Sequence, residues 1–104
     1  MKIKNADMVN FLNSVDGIMA KRIPMKMYSV IYQNVKSFAA AAEAYTKQRE
    51  MISCRDDIVE LMNIESEIAI QKLPMSVVEL IDSSDKYDAL TGNEFKALSF
   101  MIGE

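Results

Sequence analysis

The chain has 104 residues, of which 50% are hydrophobic and 26% charged, with a net charge of -3. That length suits one domain with a core needing no covalent staples, so residues 1–104 are read as a single helical domain. With no histidine and one cysteine, Cys54, the usual general base, the commonest metal ligand and an intrachain disulfide are all missing, so no catalytic residue, metal site or cofactor is assigned and an enzyme is not expected. The acidic balance also weighs against a sequence-independent nucleic-acid binder, whose affinity comes from neutralising phosphates.

Met1 to Lys4 alternates and reads as a small edge strand. Asn5 is placed to cap a helix over about 6 to 20, with Asp7 in its first turn. Met8, Phe11, Leu12, Val15 and Met19 form an amphipathic stripe along it. Lys21-Arg22-Ile23-Pro24 then makes a basic turn, since Pro24 disfavours helix at Ile23 and suits the start of the next one.

Pro24 to about Ser53 reads as one long helix, and the chain is organised around it. Tyr28, Ile31, Val35, Phe38, Ala42 and Tyr45 alternate at spacings of three and four, the seam of a helix packed lengthwise against a partner. At about 1.5 Å per residue it would run roughly 45 Å. The run Ala39 to Ala42 gives helix propensity and lets a neighbour approach. The residues Ile31, Val35, Phe38, Ala42 and Tyr45 are therefore a candidate oligomer seam as well as core.

Ser53 to Asp57 is a polar interruption, with Ser53 a candidate cap for a short helix carrying Ile58, Leu61 and Met62. Cys54 reads as an inert, partly buried thiol. Glu65 to Gln71 alternates, giving a strand over 66 to 72 whose natural partner is Met1 to Lys4; a two-stranded ribbon alone is marginal and must lie on the helices. Pro74 starts a helical turn through Ile81, and Asp82 to Tyr87 is a polar loop. Thr91-Gly92-Asn93-Glu94 is a capping box before a last helix lined by Phe95, Leu98, Met101 and Ile102. The expected fold is thus mainly α, with a minimal two-stranded ribbon and shorter helices packed along one long central helix.

Two surfaces stand out as candidate sites. Lys21, Arg22 and Lys26 flank a helix N-terminus, where free amides and the helix dipole favour an anion, and Tyr28 and Tyr32 are near enough to stack on a base. A solvated basic turn is the plainer alternative. Nine methionines can fill irregular core gaps or make adaptable surfaces. Met8, Met19, Met62 and Met101 fall on core faces, whereas Met25, Met27 and Met75 are candidates for an exposed patch.

The chain resembles a group of small tailed-phage and prophage proteins of Gram-positive hosts, known only as a domain of unknown function. The likeness rests on an N-terminus KIKNADMVNFLNSV, a short basic link ending in Pro24, and a long helix closing on Tyr45-Thr46-Lys47-Gln48-Arg49-Glu50. It continues in ESEIAI, LPMSVVEL and the terminal LTGNEFKALSFMI. What the resemblance implies is a phage or prophage origin and a small accessory role, with membership of the virion left open; with no signal-peptide pattern at Met1–Asp7, the host cytoplasm is the expected location. Together with the seam, this favours a homo-oligomer acting on a protein partner of phage or host. The alternative is an oligomeric anti-defence protein that binds a nucleotide signalling molecule at the basic turn. No stretch is long and apolar enough for a membrane span.

Overall fold

The computed structural model describes residues 1–103. Strand β1 (Lys2–Lys4) leads straight into helix α1 (Asn5–Met19). Helices α2 (Met25–Ser37), α3 (Ala39–Glu50) and α4 (Arg55–Asn63) follow, then strand β2 (Glu65–Glu67), α5 (Met75–Ser83) and α6 (Gly92–Leu98). The two strands pair antiparallel, with Lys2 opposite Glu67, Ile3 opposite Ser66 and Lys4 opposite Glu65. Mainly helical architecture with one minimal ribbon, expected from periodicity, is what the chain adopts.

The stripe of α1 turns inward. Met8, Phe11, Val15 and Ile18 are buried, while Leu12 and Met19 pack at the margin. Asn5 does not cap α1. Lys4 occupies that position, and Asn5 lies buried with its side-chain amide donating to the Leu61 carbonyl at 2.9 Å. Its backbone N–H donates to the Ile64 carbonyl at 2.9 Å. One residue thereby ties the start of α1 to the end of α4.

The expected single long helix is divided. α2 and α3 meet at a one-residue interruption, Phe38, whose backbone stays in the right-handed helical region (φ -85°, ψ -7°). The Phe38 N–H is shared between the Asn34 and Val35 carbonyls, both at 3.2 Å, which tightens the turn; the Phe38 carbonyl still accepts from the Ala42 N–H at 2.8 Å. Ser37 hydroxyl donates back to the Gln33 carbonyl at 3.2 Å, a contact that competes with the ladder and bends helices. Pro24 stands one residue outside α2, as its cap, rather than at its first position.

Phe38 fills the interior at this joint. Its ring lies 5.6 Å from that of Phe11 and 5.8 Å from that of Phe100, and Phe11 meets Phe100 edge-on at 5.4 Å. These tilted and edge-to-face contacts suit the ring quadrupoles. Around the trio, Ile3, Met8, Ile18, Met27, Ile31, Leu73, Leu98 and Met101 close one continuous apolar cluster. The molecule is elongated, 47 × 23 × 18 Å.

The strand expected over 66–72 is shorter, because its outer half pairs with a side chain instead of a neighbouring strand. Asn34, fully buried on α2, accepts from the Gln71 N–H at 2.8 Å and donates to the Gln71 carbonyl at 3.0 Å. Beyond it, Leu73 N–H donates to the Met101 carbonyl at 2.7 Å and Gly103 N–H to the Leu73 carbonyl at 3.0 Å. The C-terminal turn is held to the core by these bonds. The helix over Met75–Ser83 runs two residues into the expected polar loop. The short helix after the interruption starts at Arg55, with Cys54, and not Ser53, at its cap position and no side-chain cap bond.

Candidate functional site

Two cations of the basic turn are held by carboxylates. Lys21 Nζ lies 2.5 Å from Glu94 Oε1 and donates to the Ala89 carbonyl at 2.8 Å. The Arg22 guanidinium reaches Asp88 Oδ1 at 3.0 Å, and the Arg22 N–H donates to Asp88 Oδ2 at 2.8 Å. Two of the three expected cations are therefore neutralised by carboxylates of the segment before and within α6. Lys26 is exposed and makes no ion pair among the described residues. Lys21 and Arg22 thus form a clasp that fastens the α1–α2 turn to the C-terminal segment, and Lys26 stands outside it.

The electrostatics agree with a clasp. The backbone N–H of Arg22, then its guanidinium, hold the Asp88 carboxyl below its ordinary range. The Lys21 ammonium, then the Thr91 N–H, do the same for Glu94. Glu94 also completes the expected capping box, accepting from Thr91 N–H at 2.8 Å while its own N–H donates to Thr91 Oγ1 at 3.1 Å. One carboxylate thus starts α6 and anchors the turn before α2.

The predicted seam faces inward. Ile31 and Phe38 are fully buried, and Val35, Ala42 and Tyr45 are half-buried against the core. Tyr45 hydroxyl donates to Met62 Sδ at 3.4 Å. As an oligomer seam, Ile31, Val35, Phe38, Ala42 and Tyr45 are corrected to intrachain packing: α1, α4 and the C-terminal turn keep them dry within one subunit.

The opposite side of the same rod is open. Met25 is 76% exposed, Tyr28 40% and Tyr32 47%, and Lys36 sets its ammonium 5.2 Å from the centre of the Tyr32 ring. Ala39, Ala40 and Glu43 continue this exposed face onto α3. Of the methionines proposed for a surface patch, Met25 and Met75 are exposed but Met27 is fully buried. Tyr28 and Tyr32 thus lie on an open face, as stacking residues must, while Lys21 and Arg22 are turned to carboxylates.

Two shallow grooves complete the surface. One, of about 330 Å³, lies between the ends of α3 and α4 and is lined by Gln48, Met51, Ile52, Asp57, Glu60, Leu61 and Ile64. The other, about 240 Å³ between α5 and α6, is lined by Val78, Ile81, Asp82, Leu90, Thr91, Gly92 and Phe95. Both have apolar floors; the first has two carboxylates on its lining and the second one. Cys54, expected to be partly buried, is exposed near the first. Among the described residues no cluster of acidic, cysteine or histidine side chains has metal-binding geometry, and no helix is long and apolar enough to cross a membrane.

Sequence reasoning missed three things that matter here. Asn34 sits within the apolar arc of α2 as a lone amide, and that misfit was its signal. Asp88 and Glu94 as partners of the basic turn carried no local signal. The outer stripe Met25, Tyr28, Tyr32, Lys36 was readable from its spacing of three and four. Comparison with protein-family models, with curated proteins and with solved structures finds no match to this chain.

Proposed function

We propose that this chain is a phage or prophage accessory protein that acts by protein–protein interaction and self-associates through its α2–α3 rod. The phage assignment rests on the sequence resemblance alone. The observation that supports an interaction role is the two-sidedness of the rod. Its inner edge is buried at Ile31 and Phe38 and half-buried at Val35, Ala42 and Tyr45, yet its outer face carries Met25, Tyr28 and Tyr32 in contact with water. Tyrosine and methionine on a helix face are costly to leave solvated and are enriched where proteins meet.

Light scattering after gel filtration tests this reading. The chain mass is 11.8 kDa, and twice that mass is the expected result at high concentration. A single-chain mass at every concentration, with no phage or host protein copurifying from infected cells, would overturn the reading.

The alternative is an anti-defence protein that binds a nucleotide at the basic turn; there Lys21 and Arg22 each pair with a carboxylate, which a phosphate would have to displace. A thermal-shift screen with mono-, di- and cyclic nucleotides is expected to give no shift. A stabilisation approaching the roughly 2.7 kcal/mol of a ligand at a hundred times its dissociation constant would favour that alternative.

A further inference from the structure

We infer that a second copy of this chain covers the outer face of the rod, antiparallel, about a twofold axis beside Ala39 and Ala40; this rests on the self-association reading above. Met25, Tyr28, Tyr32, Lys36, Ala39 and Glu43 recur at spacings of three and four on the side turned away from the core, and all are exposed. The two alanines at mid-length let two helix backbones approach to about 8–10 Å.

Charge selects the direction. In a parallel pairing Lys36 meets a lysine and Glu43 meets a glutamate, which is repulsive on both sides. In the antiparallel pairing Lys36 meets the partner's Glu43, and Tyr32 meets the partner's Lys47. Tyr28 then comes level with the partner's Met51. Met51 is 87% exposed, and the Glu43–Lys47 ion pair, with both side chains more than two-thirds exposed, can re-pair across the axis without first being dug out of the fold. Antiparallel helix dipoles add to the same preference. Each contact occurs twice, as a twofold interface requires.

A helix face about 39 Å long and 10 Å wide covers on the order of 400 Å² per copy, about 800 Å² in all, the size of a weak, transient encounter. The dimer therefore forms as concentration rises and is not obligate.

Sedimentation equilibrium of the full chain, from micromolar to millimolar, is the test. The unaltered chain is expected to pass from one to two chain masses. Lys36→Glu and Glu43→Lys each turn two attractive pairs into repulsive ones and are expected to weaken the dimer about tenfold. Lys36→Glu with Glu43→Lys together is expected to restore it. Both residues are exposed, so circular dichroism should be unchanged. As an independent arm, Ala39→Cys in a Cys54→Ser background is expected to give a covalent dimer on mild oxidation.

A dimer indifferent to the charge reversals, with no Ala39→Cys cross-link, overturns the antiparallel arrangement and leaves self-association standing. A chain that stays monomeric throughout overturns both. Binding of an unrelated phage or host protein to this face of a monomer overturns the second copy as occupant and leaves an interaction role.

Discussion

Four residues of α2, Met27, Val30, Ile31 and Asn34, are buried, whereas α3 has none. The two helices are nearly continuous in sequence and share one inner edge, yet they are held by different forces. α2 is fixed by apolar burial and by the amide of Asn34. α3 is fixed by alanine propensity, by the Glu43–Lys47 pair at 3.2 Å and by partial cover from α1 and α4. Alanine loses no side-chain entropy in a helix, so such a segment can persist half outside the core. The difference teaches that one half of the rod builds the domain while the other half extends a surface from it.

Substitutions can sharpen or break this contrast. Phe38→Ala removes the joint of both halves and the centre of the aromatic trio, and is expected to cost about 3–5 kcal/mol. Denaturant unfolding checks it; near-normal stability would mean the ring is not core. Asn34→Ala leaves the Gln71 N–H and carbonyl without their buried partner, at roughly 1–3 kcal/mol. The same unfolding experiment reads it, and loss of amide protection at Gln71 should accompany it.

Lys21→Glu with Arg22→Glu places like charges against Glu94 and Asp88. From sequence alone this pair of changes would leave melting untouched. With the clasp in place a lowered melting temperature is expected, because two attractive pairs become repulsive.

Acid should act on the same clasp. Asp88 and Glu94 have carboxyls held below their ordinary values of 3.8 and 4.5. The unfolded chain therefore takes up these protons first as pH falls. Their contribution is complete at neutral pH and down to about pH 5, and is lost as pH drops below about 4 toward their folded values. A melting temperature flat from pH 7 to 5 and falling below 4 is the expected profile. In the Lys21→Glu, Arg22→Glu variant the acid-induced drop should shrink.

The smallest effect belongs to α3. Ala40→Gly, on its exposed side, is expected to cost about 1 kcal/mol through propensity alone.

What could be read from the sequence follows from how local each cause is. The α1 stripe and the Thr91–Glu94 capping box rest on short-range patterns, and each is present; the pairing of Met1–Lys4 with the later strand was reached by elimination, since no third strand candidate is visible. The inward edge Ile31–Phe38–Tyr45 was legible as apolar, but spacing cannot say whether a helix of the same chain or a second subunit covers it. The interruption at Phe38 was hidden because it is one residue wide and every residue around it has adequate helix propensity. The clasp was invisible because Lys21 and Glu94 are far apart in sequence, and only the folded core brings them within hydrogen-bonding distance. Charges that looked free for an anion were already matched by the other end of the chain.

Amide hydrogen exchange, measured in dilute and in concentrated protein, tests the two-sided rod most directly. Amides of α2 from Val30 to Asn34 should exchange only through global opening at both concentrations. Those of α3 from Ala39 to Lys47 should exchange faster in dilute protein and slow as concentration rises. Equal, global protection of both helices in dilute protein would contradict the account, as would an α3 whose exchange ignores concentration.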